Sequence, residues 1–139
     1  MEEKITKDMI IDAFEKHDSF VKYNHMHIVT LNEDEAVLSC ELTDNSLNPS
    51  GIAHGGIIFG LADTAMGTLA YLTGQKVVTV DSNINYLKPC AGQQISCVAK
   101  PVKVGKTLGV YEAKIYNEKQ ELAAVCSGTY LYLNREIKK

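Results

Sequence analysis

An α+β fold is what this sequence predicts, with one long helix set against a largely antiparallel sheet. Three observations lead there. A single long apolar segment, residues 55–73, carries helical spacing. Four strand-like segments with turn residues between them follow it without interruption. The helical segments are segregated from the strands, where a parallel sheet would need them to alternate.

The elements follow in order. Ile5, Met9, Ile10, Ala13 and Phe14 recur at helical spacing, with Thr6 and Asp8 available as caps, so residues 5–17 read as a short amphipathic helix. From His25 the pattern changes to alternation, and the "NEDE" in its middle is a turn. Strands over 26–32 and 35–43 therefore form a hairpin. Residues 44–54, "DNSLNPSGIAH", are a loop dense in Asn, Ser, Pro and Gly. The long helix then runs to Gly74, which is placed as its C-cap. The last four strands are "KVVTVDSNINYLKP", "QQISCVAKPVKV", "TLGVYEAKIYN" and "ELAAVCSGTYLYLN". Their turns fall at Ala91-Gly92, Gly105-Lys106 and residues 117–120. No repeat or linker interrupts the chain, so residues 1–139 form one domain, with 1–20 as an N-terminal helix region.

Composition narrows the function classes. The chain is 45% hydrophobic and 22% charged, which fits a packed domain and excludes wholesale disorder. A net charge of −3 supplies no basic field for nucleic acid. The start "MEEKITKDMII" lacks a secretory pattern, and Asp63 with several glycines makes the long apolar segment a poor membrane span. Cys40, Cys90, Cys97 and Cys126 show no CxxC pairing and read as buried free thiols in a cytoplasmic protein. "HMH" at 25–27 reads as exposed polar residues, and no metal site is expected.

The informative stretch is "HGGIIFGLADTAMG", residues 54–67. Gly56, Asp63 and Ala70 fall on one helical line, flanked by Gly60, Thr64 and Gly67. Ile58, Leu61, Ala62, Ala65, Leu69 and Leu72 lie opposite and suit a core. An unpaired buried acid costs several kcal/mol, so Asp63 needs a reason to be there. At the helix start, Gly55 and Gly56 strip side-chain bulk from N–H groups that have no helical partner, as an oxyanion hole requires. The two features are eight residues apart, about 12 Å along a helix, and cannot serve one carbonyl. Two such helices antiparallel about a two-fold axis would bring Gly55 of one beside Asp63 of the other, so a symmetric dimer with composite sites is expected.

The pattern N-P-x-G-x-x-H-G-G-x-x-x-x-L-A-D-T-A, Asn48 to Ala65, resembles the signature of PaaI-like hotdog-fold acyl-CoA thioesterases. "VVTVDSNINYLKP", "VKVGKTL" and "AAVCSGTYLYL" agree in order and spacing, and the resemblance covers about residues 20–133. It implies a central helix wrapped by a curved antiparallel sheet, a dimer or dimer of dimers, and hydrolysis of acyl-CoA thioesters without metal or cofactor. By position, Asp63 looks like the catalytic carboxylate, as base or nucleophile, and Gly55 like the oxyanion N–H donor. Asn48 looks like the residue orienting carbonyl and water, Thr79 like the one positioning the water, and His54 like a residue shaping the loop. Asn48 and Gly55 would come from one subunit, Asp63 and Thr79 from the other. Gly56, Lys88, Lys103, Gly105 and Lys106 are candidates for binding substrate, the lysines and the Gly105 N–H facing the CoA phosphates. Phe59, Met66, Tyr71 and Tyr86 are candidates for lining the acyl pocket.

Two other functions stay open on the same fold. One is a module that binds acyl-CoA without turning it over; the presence of Asp63, Asn48 and Thr79 counts against it. The other is a hydratase or dehydratase, which needs a His–acid pair that the "HGG…LAD" spacing fits less well.

Overall fold

A computed structural model describes residues 5–133 of the chain. The helix read over residues 5–17 is two pieces, α-helical then π-helical, and a further short helix follows it. They are α1, Lys7–Asp12, a π-helical turn over Ala13–His17, and α2, Ser19–Tyr23. Thr6 caps α1 and Asp18 caps α2, each side chain accepting a backbone N–H. Asp18 is also what ends the first helical run, because a capping residue takes extended backbone.

The hairpin follows as β1, Met26–Leu31, and β2, Ala36–Glu41. The long helix α3 spans Gly55–Ala70, and a 3-10 turn, Tyr71–Thr73, carries it to Gly74. Gly74 sits at φ 87°, the left-handed conformation a helix terminus uses and only glycine takes freely. The remaining strands are β3, Lys76–Tyr86, β4, Gln94–Val104, β5, Leu108–Tyr116, and β6, Leu122–Leu133.

All six strands pair antiparallel in one sheet, ordered β1-β2-β4-β5-β6-β3. β5 alternates strictly between buried and exposed residues, as one face buried against a helix demands. The core lies between that face and α3, where Leu61, Ala62, Ala65 and Met66 are fully buried. Ala70, assigned by its spacing to the small-residue line, is fully buried as well. Leu72, assigned to the core, is only half-buried, because the helix has given way to the looser 3-10 turn there. An 18-residue window within Gly55–Thr73 has a mean hydropathy of 1.3, long and apolar enough by composition to cross a membrane. Half of that window is buried inside this fold, so the sheet accounts for its apolarity.

The sheet has two edges. On β1, Glu15 accepts the Ile28 N–H at 2.8 Å, so a side chain from the π turn covers part of that edge. β3 forms the other edge and leaves Val78 and Val80 exposed along it.

The four cysteines are buried and unbonded, as expected. Burial, with Glu41 nearby, pushes the Cys40 thiol from its ordinary 9.0 up to about 12. Burial also raises Cys97, Cys90 and Cys126. A raised thiol contributes stability that is fully present below the unfolded-state pKa and is lost as pH rises through the folded-state value. The melting temperature is therefore expected to fall steadily from pH 9 toward pH 12. At neutral pH a thiol-reactive dye should label none of the four until urea unfolds the chain. Fast labelling of the native protein would show that the thiols are not sealed.

Candidate active site

The start of α3 is assembled by the loop before it. Backbone pairs His54 N–H to Ser46 O, at 2.8 Å, and Asn48 N–H to Ile52 O, at 2.8 Å, fold residues 46–54 into a tight return. Asn48 holds that return together. Its Oδ1 accepts the Ser50 and Ile52 N–H groups at 2.9 and 3.3 Å. His54 is the helix cap, and its Nδ1 accepts the Gly56 N–H at 2.8 Å. That nitrogen therefore carries no proton.

The two glycines are thereby distinguished. Gly56 has its N–H committed to His54, whereas the Gly55 N–H has no acceptor among the described residues. The peptide that carries the free N–H has its carbonyl, His54 O, accepting from Ile57 and Ile58 at 3.0 and 3.3 Å, which polarises it further. Tyr86 Oη donates to the Gly55 carbonyl at 2.8 Å. A Cβ on Gly55 would stand 3.1 Å from that hydroxyl, and one on Gly56 would stand 3.0 Å from His54 Nδ1. A side chain at either position would press the tyrosine hydroxyl or the capping imidazole back by a few tenths of an ångström.

Two turns further along α3, half-buried Asp63 faces the sheet end where β3 and β6 meet. Its Oδ1 accepts Tyr130 Oη at 2.7 Å and Thr79 Oγ1 at 3.0 Å. Thr79 and Tyr130 are cross-strand partners on one rung, so the sheet delivers both hydroxyls to one oxygen. Among the described residues Oδ2 has no donor. Burial, the Asp63 charge and the bond to it all push the Tyr130 hydroxyl well above the usual tyrosine range, so it stays a proton donor. Its ring also stands edge-on to Tyr111, with centroids 5.7 Å apart. Tyr130 is the residue the sequence reading missed. It lies 67 positions from Asp63, and only the inward phase of "GTYLYL" hinted at it.

A bulge makes both ends of this arrangement possible. The β3–β6 register slips between Thr79 and Asp81, leaving Val80 as an extra residue. Thr79 and Tyr86 are seven residues apart and would point to opposite faces of a regular strand. With Val80 absorbed, Thr79 reaches Asp63 and Tyr86 reaches Gly55 on the same helix.

Gly55 and Asp63 remain two turns apart, and each opens on its own cavity. One, of about 360 Å³, is lined by Ile52, Ala53, Gly55, Ile58 and residues 86–90. The other, of about 350 Å³, has Asp63, Thr79 and Tyr130 in its wall, with Phe14, Phe20, Tyr71 and Val77 around them. Tyr86 and Tyr71 therefore each line a cavity; Met66 is sealed in the core, and Phe59 lines neither. The Gly60 part of the small-residue line is covered by this chain's own Phe20, whose ring would lie 2.9 Å from a Cβ there.

The candidate phosphate-binding residues do not gather in one chain. Lys88 follows β3 at the end where Ala123 accepts its N–H, while the β4–β5 turn carrying Lys103 and Lys106 lies beside Leu131. Eight strand residues separate the two ends, about 26 Å. Lys88 is paired with Glu121 at 3.3 Å, and Asn117 and Lys88 hold that carboxyl below the usual carboxylate range. The Gly105 N–H is not free for phosphate, because it closes the hairpin on Leu108 O at 2.9 Å. Among the described residues, no group of three His, Cys, Asp or Glu is placed to hold a metal.

A single antiparallel sheet wrapped on a long helix that carries one carboxylate near its middle is the architecture of a hotdog-fold protein. The chain belongs to the thioesterase superfamily, whose model matches residues 50–124, more than half of its length. It is 32% identical over 117 residues to the acyl-coenzyme A thioesterase PaaI of Escherichia coli, covering 84% of each chain. It is similar in structure to the E. coli PaaI protein from the phenylacetic acid degradation operon, with a TM-score of 0.86, 27% identity, and 92% of this chain and 94% of that one covered. It is also similar to the Streptococcus mutans smu.793 protein bound to acetyl CoA, with a TM-score of 0.76, 29% identity, and 81% and 91% covered.

Deleting Val80 leaves Thr79 and Tyr86 six residues apart, which a regular strand keeps on one face. Urea unfolding is therefore expected to show a loss of no more than about 1 kcal/mol, whereas deleting Val80 and Asp81 together turns one of the two side chains away from α3 and should cost roughly 3 kcal/mol. Equal midpoints for the two deletions would remove the bulge from the account.

Proposed function

We propose that this protein hydrolyses acyl-CoA thioesters at two sites, each shared between two copies of the chain. The observation that carries the reading is Asp63. It is a carboxylate on the most apolar helix, held on one oxygen by Thr79 and Tyr130 and with the other oxygen unengaged. The PaaI likeness supplies the substrate class, an acyl-CoA thioester.

In this mechanism the thioester carbonyl oxygen accepts the free Gly55 N–H, which stabilises the negative charge that develops there. Asp63 Oδ2 takes the proton of an attacking water and CoA leaves as a thiolate, or Oδ2 attacks the carbonyl carbon itself, CoA leaves, and water then hydrolyses the resulting acyl anhydride to free acid and carboxylate. Thr79 and Tyr130 keep Oδ1 fixed, so Oδ2 alone faces substrate. Asn48 and His54 act through the loop and the helix cap that present Gly55. No step requires a metal or a cofactor.

Within one chain the two halves are too far apart, and the β3 edge offers the way to join them. Antiparallel pairing of β3 with its copy, with Thr79 opposite the partner subunit's Tyr86, puts a two-fold axis between Ser82 and Asn83. Asp63 then lies beside the partner subunit's Gly55, and Lys103 and Lys106 share an end with the partner subunit's Lys88. That pairing also covers Val78 and Val80, and an exposed edge strand of this length needs such cover. We place the protein in the cytoplasm, where the free thiols persist and CoA esters occur.

Subunit mixing tests the shared site. Asp63→Ala removes the carboxylate, and Gly55→Pro removes the N–H at a position where a helix tolerates proline. Each variant alone is expected to lose at least about 10²-fold in kcat. Mixed and refolded together, they should recover roughly a quarter of wild-type activity, the yield of one intact site in half of the dimers. No recovery would confine the site to one chain, and full activity of Asp63→Ala would remove the acid from the mechanism.

Tyr130→Phe keeps the ring on Tyr111 and deletes only the donor. A hydrogen bond to a charged group contributes about 1.5–3 kcal/mol, so kcat is expected to fall roughly tenfold or more with KM little changed. An unchanged kcat would leave Tyr130 with packing alone.

A further inference from the structure

The cavity beside Asp63 ends at a wall that belongs to a second cavity. The second is about 480 Å³ and lies under the N-terminal pieces, with Ile5, Met9, Ile10 and Ala13 inside and His17 and Lys76 among its polar residues. The two share Phe14, Asp18 and Tyr71. Phe14 and Tyr71 meet edge to face, with ring centroids 5.7 Å apart and planes at 76°. They form a partition between a chamber holding the carboxylate and an apolar chamber with no reacting group.

Phe14 is held in that partition by unusual backbone. It stands in the π-helical turn Ala13–His17, a conformation rare in proteins and concentrated at functional sites. The chain is tied down just after Phe14. Glu15 is bonded to the Ile28 N–H of β1, and Asp18 is bonded to the Val21 N–H. Phe14 is half-buried against Tyr71, so its ring packs on the partition while both faces of the pair border open space.

We propose that Phe14, braced by Tyr71, sets the length of the acyl chain this protein accepts. The inference rests on the acyl-CoA reading above. With the thioester carbonyl beside Asp63, the acyl chain extends along the Gly67 side of α3 toward Tyr71 and stops at the Phe14 ring. Removing that ring joins the two chambers, and a longer linear chain then runs into the apolar space lined by Met9 and Ile10. A larger ring shortens the first chamber.

The test measures binding, so it does not depend on turnover. Affinities of S-alkyl-CoA thioethers from butyl to dodecyl are measured for wild type, Phe14→Ala and Phe14→Trp, with melting curves to confirm folding. Each methylene that enters an apolar site strengthens binding about fourfold. The wild-type series is expected to rise and then level off. Phe14→Ala should keep rising beyond that point, reaching roughly 10²-fold tighter binding over about four more methylenes. Phe14→Trp should level off earlier. If Phe14→Ala does not fold, Phe14→Leu takes its place with the same expected direction. Series that break at one common length, or no thioether binding by wild type, would overturn the proposal. Graded series from a wild type that hydrolyses no acyl-CoA would overturn the hydrolase reading and leave the chain-length wall standing.

Discussion

One extra residue in one strand governs the arrangement of the site. A β-strand alternates its side chains, so residues an odd number apart face opposite ways. Thr79 and Tyr86 are such a pair, yet both must reach α3, one to hold Asp63 and the other to hold the Gly55 peptide. The bulge at Val80 reverses the phase between them. The free N–H at the helix start and the carboxylate two turns along are then both held by the same edge strand. Among the described residues that strand and β1 are the two edges of the sheet.

The acid itself is tolerated through a local exchange of interactions. Asp63 leaves water for the flank of an apolar helix, and two hydroxyl donors on one rung replace part of its hydration. Those donors converge on a single oxygen, which leaves the second oxygen free. Tyr130 can do this because its ring is fixed among buried neighbours and its hydroxyl keeps its proton. The carboxylate is thus rigidly placed without being fully satisfied, a condition suited to a group that must still accept something.

The N-terminal pieces add a layer that a sheet and one helix would not supply. Phe20 covers Gly60, and Phe14 meets Tyr71 where α3 ends, so these residues close the side of the molecule on which Asp63 opens. Because α1, the π turn and α2 are each only five or six residues long, their positions depend on packing against α3 and β1 more than on helix propensity. Neighbouring Glu15 couples that layer to the sheet through the Ile28 N–H.

By itself the sequence determined the order and type of the main elements. The period-2 strands and the long apolar helix ending at Gly74 are local patterns, and local patterns survive folding. It also marked Asp63, Gly55 and His54, because an acid in an apolar run and two glycines at a helix start are conspicuous in one dimension, and Thr79 through the resemblance to PaaI-like thioesterases. Tertiary structure alone decided which of them meet. Tyr130 joined Asp63 from 67 residues away, and His54 took the Gly56 N–H and left that of Gly55 free. The Gly105 N–H went to its own hairpin, and Lys88 went to the opposite end of the sheet from Lys103 and Lys106. The N-terminal helix changed to a π turn at Ala13, and a further short helix followed Asp18. Each of these outcomes depends on strand register or on competition between donors and acceptors. Register is set by the packing of the whole sheet, and hydrogen-bond partners are chosen only once that packing brings them within reach.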